Sequence, residues 1–144
     1  MRDNQRSKVY KAERSAWAVY DENVMAYLSL DECQRFTNHI VRCYKSVYTL
    51  HNPIKVKDGR GRRTACADNI WTCGGVIKLP LWARTKTVIL HEIAHHIAGF
   101  EEAHGRKFAK IYLELVNKYI GKFEGSILRR AYKECRVKYC STKK

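Results

Sequence analysis

The chain has 144 residues, of which 45% are apolar, and a formal net charge of +14. That length suits one domain with its own core, and the apolar fraction excludes a disordered chain. No apolar run approaches the ~20 residues needed to cross a bilayer. The polar opening Met1-Arg2-Asp3-Asn4-Gln5-Arg6 lacks the apolar stretch of a secretory signal. The expectation is therefore a single cytoplasmic domain over 1–144, with no membrane partner and a basic C-terminal tail from about 136 to 144.

The positive charge has two readings: a solvated basic surface, or a nucleic-acid partner whose phosphates release counterions to Lys and Arg. From Gly105 to Lys144 there are twelve Lys/Arg against three Glu, which favours an anionic partner. Six cysteines (Cys33, Cys43, Cys66, Cys73, Cys135, Cys140) include no C-x-x-C pair. Without a secretion signal, reduced thiols are expected rather than a disulfide framework. Cys135 and Cys140, five apart, are the alternative as part of a second metal site.

In chain order, Val9, Ala12, Ala16 and Tyr20 mark an apolar stripe on a helix expected from about Asp3 to Trp17, ringed by Arg and Lys. Periodicity does not say whether that helix docks on the domain or reaches for a partner. A second helix is expected from an N-cap at Asp31, through Cys33, Phe36, Ile40, Val41 and Tyr44. His39 on this helix and His51 in the loop after it read as structural. Ile54-Lys55-Val56-Lys57 alternates like a half-buried strand, and Asp58-Gly59 is a hairpin signal leading to a returning strand at Thr64–Ala67. Lys57, Arg60, Arg62 and Arg63 make that turn basic. Val76-Ile77-Lys78-Leu79, closed by Pro80, is a third strand.

From about Ala83 the period becomes helical, with Ile89, Ile93 and Ile97 as an apolar stripe and Gly99 placed to end the helix. A further helix carries Phe108, Ile111, Tyr112, Leu115 and Tyr119. Gly121 and Gly125 precede a last one through Ile127, Leu128, Ala131 and Tyr132.

The Ile89 helix also carries His91-Glu92-Ile93-Ala94-His95, an H-E-x-x-H string, and four of the six histidines fall between His91 and His104. At about 100° per residue, His91 and His95 lie about 40° apart, one turn above the other, where two imidazoles can hold one Zn²⁺. Glu92 sits beside them as a candidate general base. Four residues compete for the third ligand: His96, Glu101, Glu102 and His104. His96 is about 140° around the helix from His91 and points elsewhere. Glu101 and Glu102 fall in the turn, with nothing in their context to select them. His104 opens the next helix beyond the Gly99 reversal, which swings it toward the pair, and is the preferred third ligand. Two blander readings stand beside this one: a chance string on an ordinary helix, and a structural, non-catalytic zinc site.

His91-Glu92-x-x-His95 followed by His104-Gly105-x-x-Phe108 resembles the H-E-x-x-H…H-G-x-x-F signature of the SprT-like and WLM-type zinc metallopeptidases, the minigluzincins. The run Gly74-Gly75-Val76-Ile77-Lys78-Leu79-Pro80-x-Trp82-Ala83-Arg84 and the opening Arg2-Asp3-x-Gln5-Arg6-x-x-Val9-Tyr10 are more narrowly similar to a family of small actinobacterial and phage metallohydrolases. The narrower likeness spans nearly the whole chain. The wider resemblance implies an active-site helix, a small sheet and a third-ligand helix, with Zn²⁺ on His91, His95 and His104 and Glu92 as catalytic base. It also implies that the strand Val76 to Leu79 is the edge to which a peptide substrate adds. SprT-like members cleave proteins crosslinked to DNA, which suits the charge, but this chain has no C-terminal C-x-x-C ribbon. Metzincins fit less well, because Ala98 and Glu101 stand where their pattern needs Gly and His.

The expected fold is α+β: a zincin-like minigluzincin core with a small, mostly antiparallel sheet of three to four strands packed on the H-E-x-x-H helix, flanked by N- and C-terminal helices. The expected function is zinc-dependent hydrolysis of a peptide or protein, with DNA-associated proteins as one substrate class. An oxyanion-stabilising side chain is expected too, and Tyr112, Arg106 and Tyr48 are candidates that sequence does not rank. The alternative is a zinc-stabilised basic module that binds nucleic acid or protein without turnover. Three His ligands also suit other transition metals.

Overall fold

The Ile89, Ile93 and Ile97 stripe lies at the centre of the molecule. In the computed structural model, which describes residues 3–18, 26–44, 54–60, 66–70 and 74–139, this segment is α3 (Lys86–Ala98). The Thr85 side chain caps it by accepting from the Val88 N–H at 3.4 Å. Gly99 ends it at φ 94°, a left-handed value that favours glycine. Ile89, Leu90, Ile93 and Ala94 are fully buried, so α3 is covered on most of its circumference rather than along one stripe.

There are four further helices among the described residues: α1 (Arg6–Trp17), α2 (Leu30–Tyr44), α4 (Arg106–Tyr119) and α5 (Lys122–Glu134). Helix α4 packs along α3 and against α5, and α5 packs against α1. The open question about the N-terminal helix is thus answered by packing. Val9, Ala12, Ala16 and Trp17 are buried, and α1 is docked. One core cluster joins residues of all five helices, among them Val9, Ile40, Ile93, Tyr112 and Leu128. Two buried tyrosines tie layers together: Tyr112 donates to Thr87 O at 3.1 Å and Tyr132 to Ala109 O at 3.3 Å.

Helix α2 starts at a capping box rather than at Asp31. Ser29 Oγ accepts from Glu32 N–H at 3.1 Å, and Glu32 Oε1 accepts from Ser29 N–H at 2.9 Å. Helix α5 begins directly after Gly121, and Gly125 lies inside it, buried against Asn117 of α4.

The sheet corrects the expected fold. Strands β1 (Lys55–Asp58), β2 (Cys66–Ile70) and β3 (Gly74–Leu79) lie in the order β1-β3-β2. Only β2 runs antiparallel to β3, while β1 pairs with it in parallel. The molecule is therefore mostly helical with a small mixed sheet, not a mostly antiparallel sheet of three to four strands in a zincin-like minigluzincin core.

The Asp58-Gly59 hairpin does not form, because β3 inserts between the two strands that the turn was expected to pair. Gly59 serves a different purpose. A Cβ there would lie 2.5 Å from Pro80 N and 2.9 Å from Leu79 C, so glycine lets this loop press on the end of β3. Asp58 turns toward Arg84, at 3.0 Å, rather than closing a hairpin.

The topology also overturns the expected substrate edge. β3 is the middle strand, bordered by β1 over Val76–Leu79 and by β2 over Gly74–Lys78. The outer side of β1 is engaged as well: Gln34 of α2 donates to Ile54 O at 2.9 Å and accepts from Val56 N–H at 2.8 Å. No helix among the described residues is long and apolar enough to cross a membrane.

Candidate metal centre

The single helical turn between His91 and His95 on α3 and the reversal after Gly99 build the site. A short 3₁₀ turn (Phe100–Glu102) and Ala103 at φ 52° bring His104 back over α3, one residue before the Gly105 N-cap of α4. One ring nitrogen from each of His91, His95 and His104 lies within 4.8 Å of the others, close enough to share a metal ion. His91 and His104 are buried, and His95 is half-buried. Phe108, one turn into α4, underlies all three rings at 4.5 to 5.0 Å between centroids.

Two carboxylates orient two of these rings from behind. Glu13 of α1 meets His91 Nδ1 with both oxygens, at 2.9 and 2.8 Å. Asp3 Oδ2 meets His104 Nδ1 at 2.7 Å, and its Oδ1 accepts from the His104 backbone N–H at 3.3 Å. An Nδ1–H that donates to a carboxylate leaves the Nε2 lone pair facing inward, the outer-shell arrangement usual behind metal-binding histidines. The Nε2 atoms of His91 and His104 stand 3.3 Å apart. Two lone pairs aimed at one another across that gap need a cation or proton between them, and the donor set fits a metal ion.

Neither Asp3 nor Glu13 stood out in the sequence. They lie 101 and 78 residues from their histidines. The available signal was an acidic residue on each side of the helix start in an otherwise basic N-terminal stretch, Asp3 before α1 and Glu13 within it between the buried Ala12 and Ala16.

Electrostatics divides the three rings. Burial, together with any charge on His91, His104 or His96, pushes the His95 pKa down to about 2. Burial also lowers His104, against the opposing pull of Asp3. Burial works against a charge on His91 too, but Glu13, with help from Glu92, carries its pKa above the ordinary value. The pocket therefore presents neutral imidazoles at His95 and His104 that could ligate a metal, and a carboxylate-supported one at His91.

Glu92 is buried, yet it lines a cleft of about 600 Å³ beside His91. Tyr10, Glu13 and Trp17 of α1 form one wall, and Trp82 stands at the rim, half exposed. Tyr10 stacks on His91 at 5.5 Å and lies 5.0 Å from His104. Burial first, and then the charges of Glu92 and Glu13, raise its pKa and keep the phenol protonated. Tyr10 entered the sequence reading only as part of the opening motif, because nothing local reveals that α1 roofs the site.

The other candidates separate cleanly. The His96 ring packs on β3, where a Cβ at Gly75 would run into it, so His96 faces the sheet. Glu102 accepts from the Lys107 N–H at 2.8 Å and serves the start of α4, while Glu101 is exposed. Tyr112 is fully buried and tied to Trp17 and Thr87. Arg106 is exposed at the first position of α4. His39 lies against Tyr119 of α4, with 5.8 Å between ring centroids. Cys33 is buried, Cys43 exposed and Cys135 half-buried, each as a free thiol. Tyr48, His51, Arg62, Arg63, Cys73 and Cys140 lie outside the described residues, as does the side chain of Cys66.

Compared with protein families, curated proteins and solved structures, the chain matches none of them. The chemistry rests on the geometry above.

Proposed function

We propose that the protein is a metal-dependent hydrolase, with Zn²⁺ held by His91, His95 and His104 and a peptide or protein as substrate. The observation that carries this reading is the pairing of a carboxylate-backed three-histidine cluster with a buried glutamate, Glu92, that opens into a cleft next to it. Three imidazoles are a ligand set that leaves zinc a position for substrate chemistry. A structural zinc site is normally closed by four ligands, and Glu92 would have no task in one.

When bound, zinc supplies Lewis acidity: it lowers the pKa of water to about 7 and polarises a carbonyl. The chain does the rest. Glu13 and Asp3 hold two rings in the ligating tautomer, Phe108 packs beneath all three, and Glu92 accepts a proton in the cleft and passes it to the leaving group. Tyr10 and Trp17 exclude water from one side. The substrate enters along this cleft and not on β3, which has no free edge.

Glu92→Gln tests the mechanism. Zinc-loaded variant and parent are compared for cleavage of an unfolded protein such as casein. The variant keeps stoichiometric zinc and loses about 10²–10⁴-fold in turnover. Full activity with zinc bound would defeat the proposal.

A further inference from the structure

The far side of α1 leads to a second feature. Helix α5 and the segment 135–139 enclose a groove of about 640 Å³, rimmed by Arg129, Arg130, Lys133, Arg136 and Lys138. All five cations are exposed, and none has an ion-pair partner among the described residues. Among the described residues, no carboxylate lines the groove. Its floor is mainly apolar and includes Tyr139, half-buried and braced on the fully buried Tyr132 at 5.4 Å between ring centroids. We propose that this groove binds single-stranded nucleic acid, with phosphates on the cationic rim and a base against Tyr139.

Two details mark the groove as preformed. Arg136 sits at φ 60° in the cap of α5, where Val137 N–H reaches Tyr132 O at 2.8 Å and Arg136 N–H reaches Lys133 O at 3.2 Å. Helices usually place glycine at that left-handed position, and here an arginine is held there at the mouth of the groove. The opposite wall is clamped by Gln5, which accepts from the Lys138 N–H at 2.6 Å and donates to Lys138 O at 3.1 Å and to His104 O at 3.0 Å. One side chain thus spans the groove wall and the loop that carries the third histidine.

Clustered unpaired cations gain affinity by displacing counterions from a phosphate backbone, and an aromatic platform between them suits bases that are free to unstack. A concave groove follows a strand, whereas a vesicle surface meets a convex or flat patch. The proposal is independent of the hydrolase reading, and its test needs no turnover.

The test is fluorescence anisotropy with a labelled oligo-dT of about 20 nucleotides, long enough for any single-domain footprint, titrated with the full chain across a range of salt. Five phosphate contacts predict a log–log salt slope of about −3.5. The variant Arg129→Gln/Lys133→Gln/Arg136→Gly removes three cations, and the glycine suits the left-handed cap, so thermal melting reports a folded protein. It should lower affinity by about tenfold or more and flatten the slope by about 2. A charge-matched control, Arg35→Gln/Lys55→Gln/Lys57→Gln on α2 and β1, should bind like the parent. Equal losses in both variants, absence of binding at low salt, duplex bound as tightly as single strand, or binding to phosphatidylserine vesicles without oligonucleotide binding would each overturn the proposal.

Discussion

Glu13 embraces Nδ1 of His91 with both carboxylate oxygens, at 2.9 and 2.8 Å, from a helix that begins the chain. This contact joins the basic N-terminal helix to the centre of the histidine cluster. It makes α1 part of the site rather than an appendage.

The first prediction concerns that contact. Glu13→Ala leaves His91 free to rotate and change tautomer, and the affinity for Zn²⁺ should fall about 10- to 100-fold, as outer-shell losses do. Asp3→Ala acts in the same way through His104. Competition with a chromogenic chelator measures both, and parental affinity in both variants would show that the carboxylates do not support metal binding.

The ligand set itself is tested by a pair of variants. His104→Ala should lose stoichiometric zinc, because it removes one of three convergent nitrogens. His96→Ala should keep it, because that ring faces Gly75 of the sheet. Metal analysis of the purified proteins decides, and zinc retained in His104→Ala would move the third ligand elsewhere.

Acid should weaken the metal-free fold. The His95 pKa falls from 6.5 in an unfolded chain to about 2, chiefly through burial. Between these values the unfolded chain binds a proton that the folded one refuses, so stability drops as pH falls below about 6.5. His104 is shifted the same way. His91 opposes them: its raised pKa contributes stability below about 6.5 that is lost as pH rises through its folded value. With two rings against one, the melting temperature of the chelated protein should fall between pH 7 and pH 5, and His95→Asn should flatten the trend. A parent whose melting point rises with acid would contradict this.

Tyr112 separates structure from chemistry. Its hydroxyl accepts from Trp17 Nε1 at 3.3 Å and donates to Thr87 O at 3.1 Å, fully buried. Tyr112→Phe strands both partners and should cost about 1–3 kcal/mol of stability. Below its melting temperature, the variant should retain zinc and turnover. A urea titration beside an activity assay reads both, and a stable but inactive variant would return Tyr112 to the catalytic candidates.

What the sequence alone determined was local. The angle between His91 and His95, the divergence of His96, the helix stop at Gly99 and the return to His104 all follow from helix geometry and short-range turn chemistry. Each needed only a few residues of context. The docking of α1 by Val9, Ala12 and Ala16 was half legible: the stripe was visible, but its partner was not.

Only the tertiary structure decided the rest. Asp58-Gly59 carried a hairpin signal, yet strand order depends on which segments bury their apolar faces together, and β3 came to lie between β1 and β2. Asp3, Glu13 and Tyr10 reach the histidines across 78 to 101 residues, a distance over which neither periodicity nor spacing carries information. Local residues supplied the three histidines; long-range packing supplied the carboxylates that orient two of them and the cleft in which Glu92 stands.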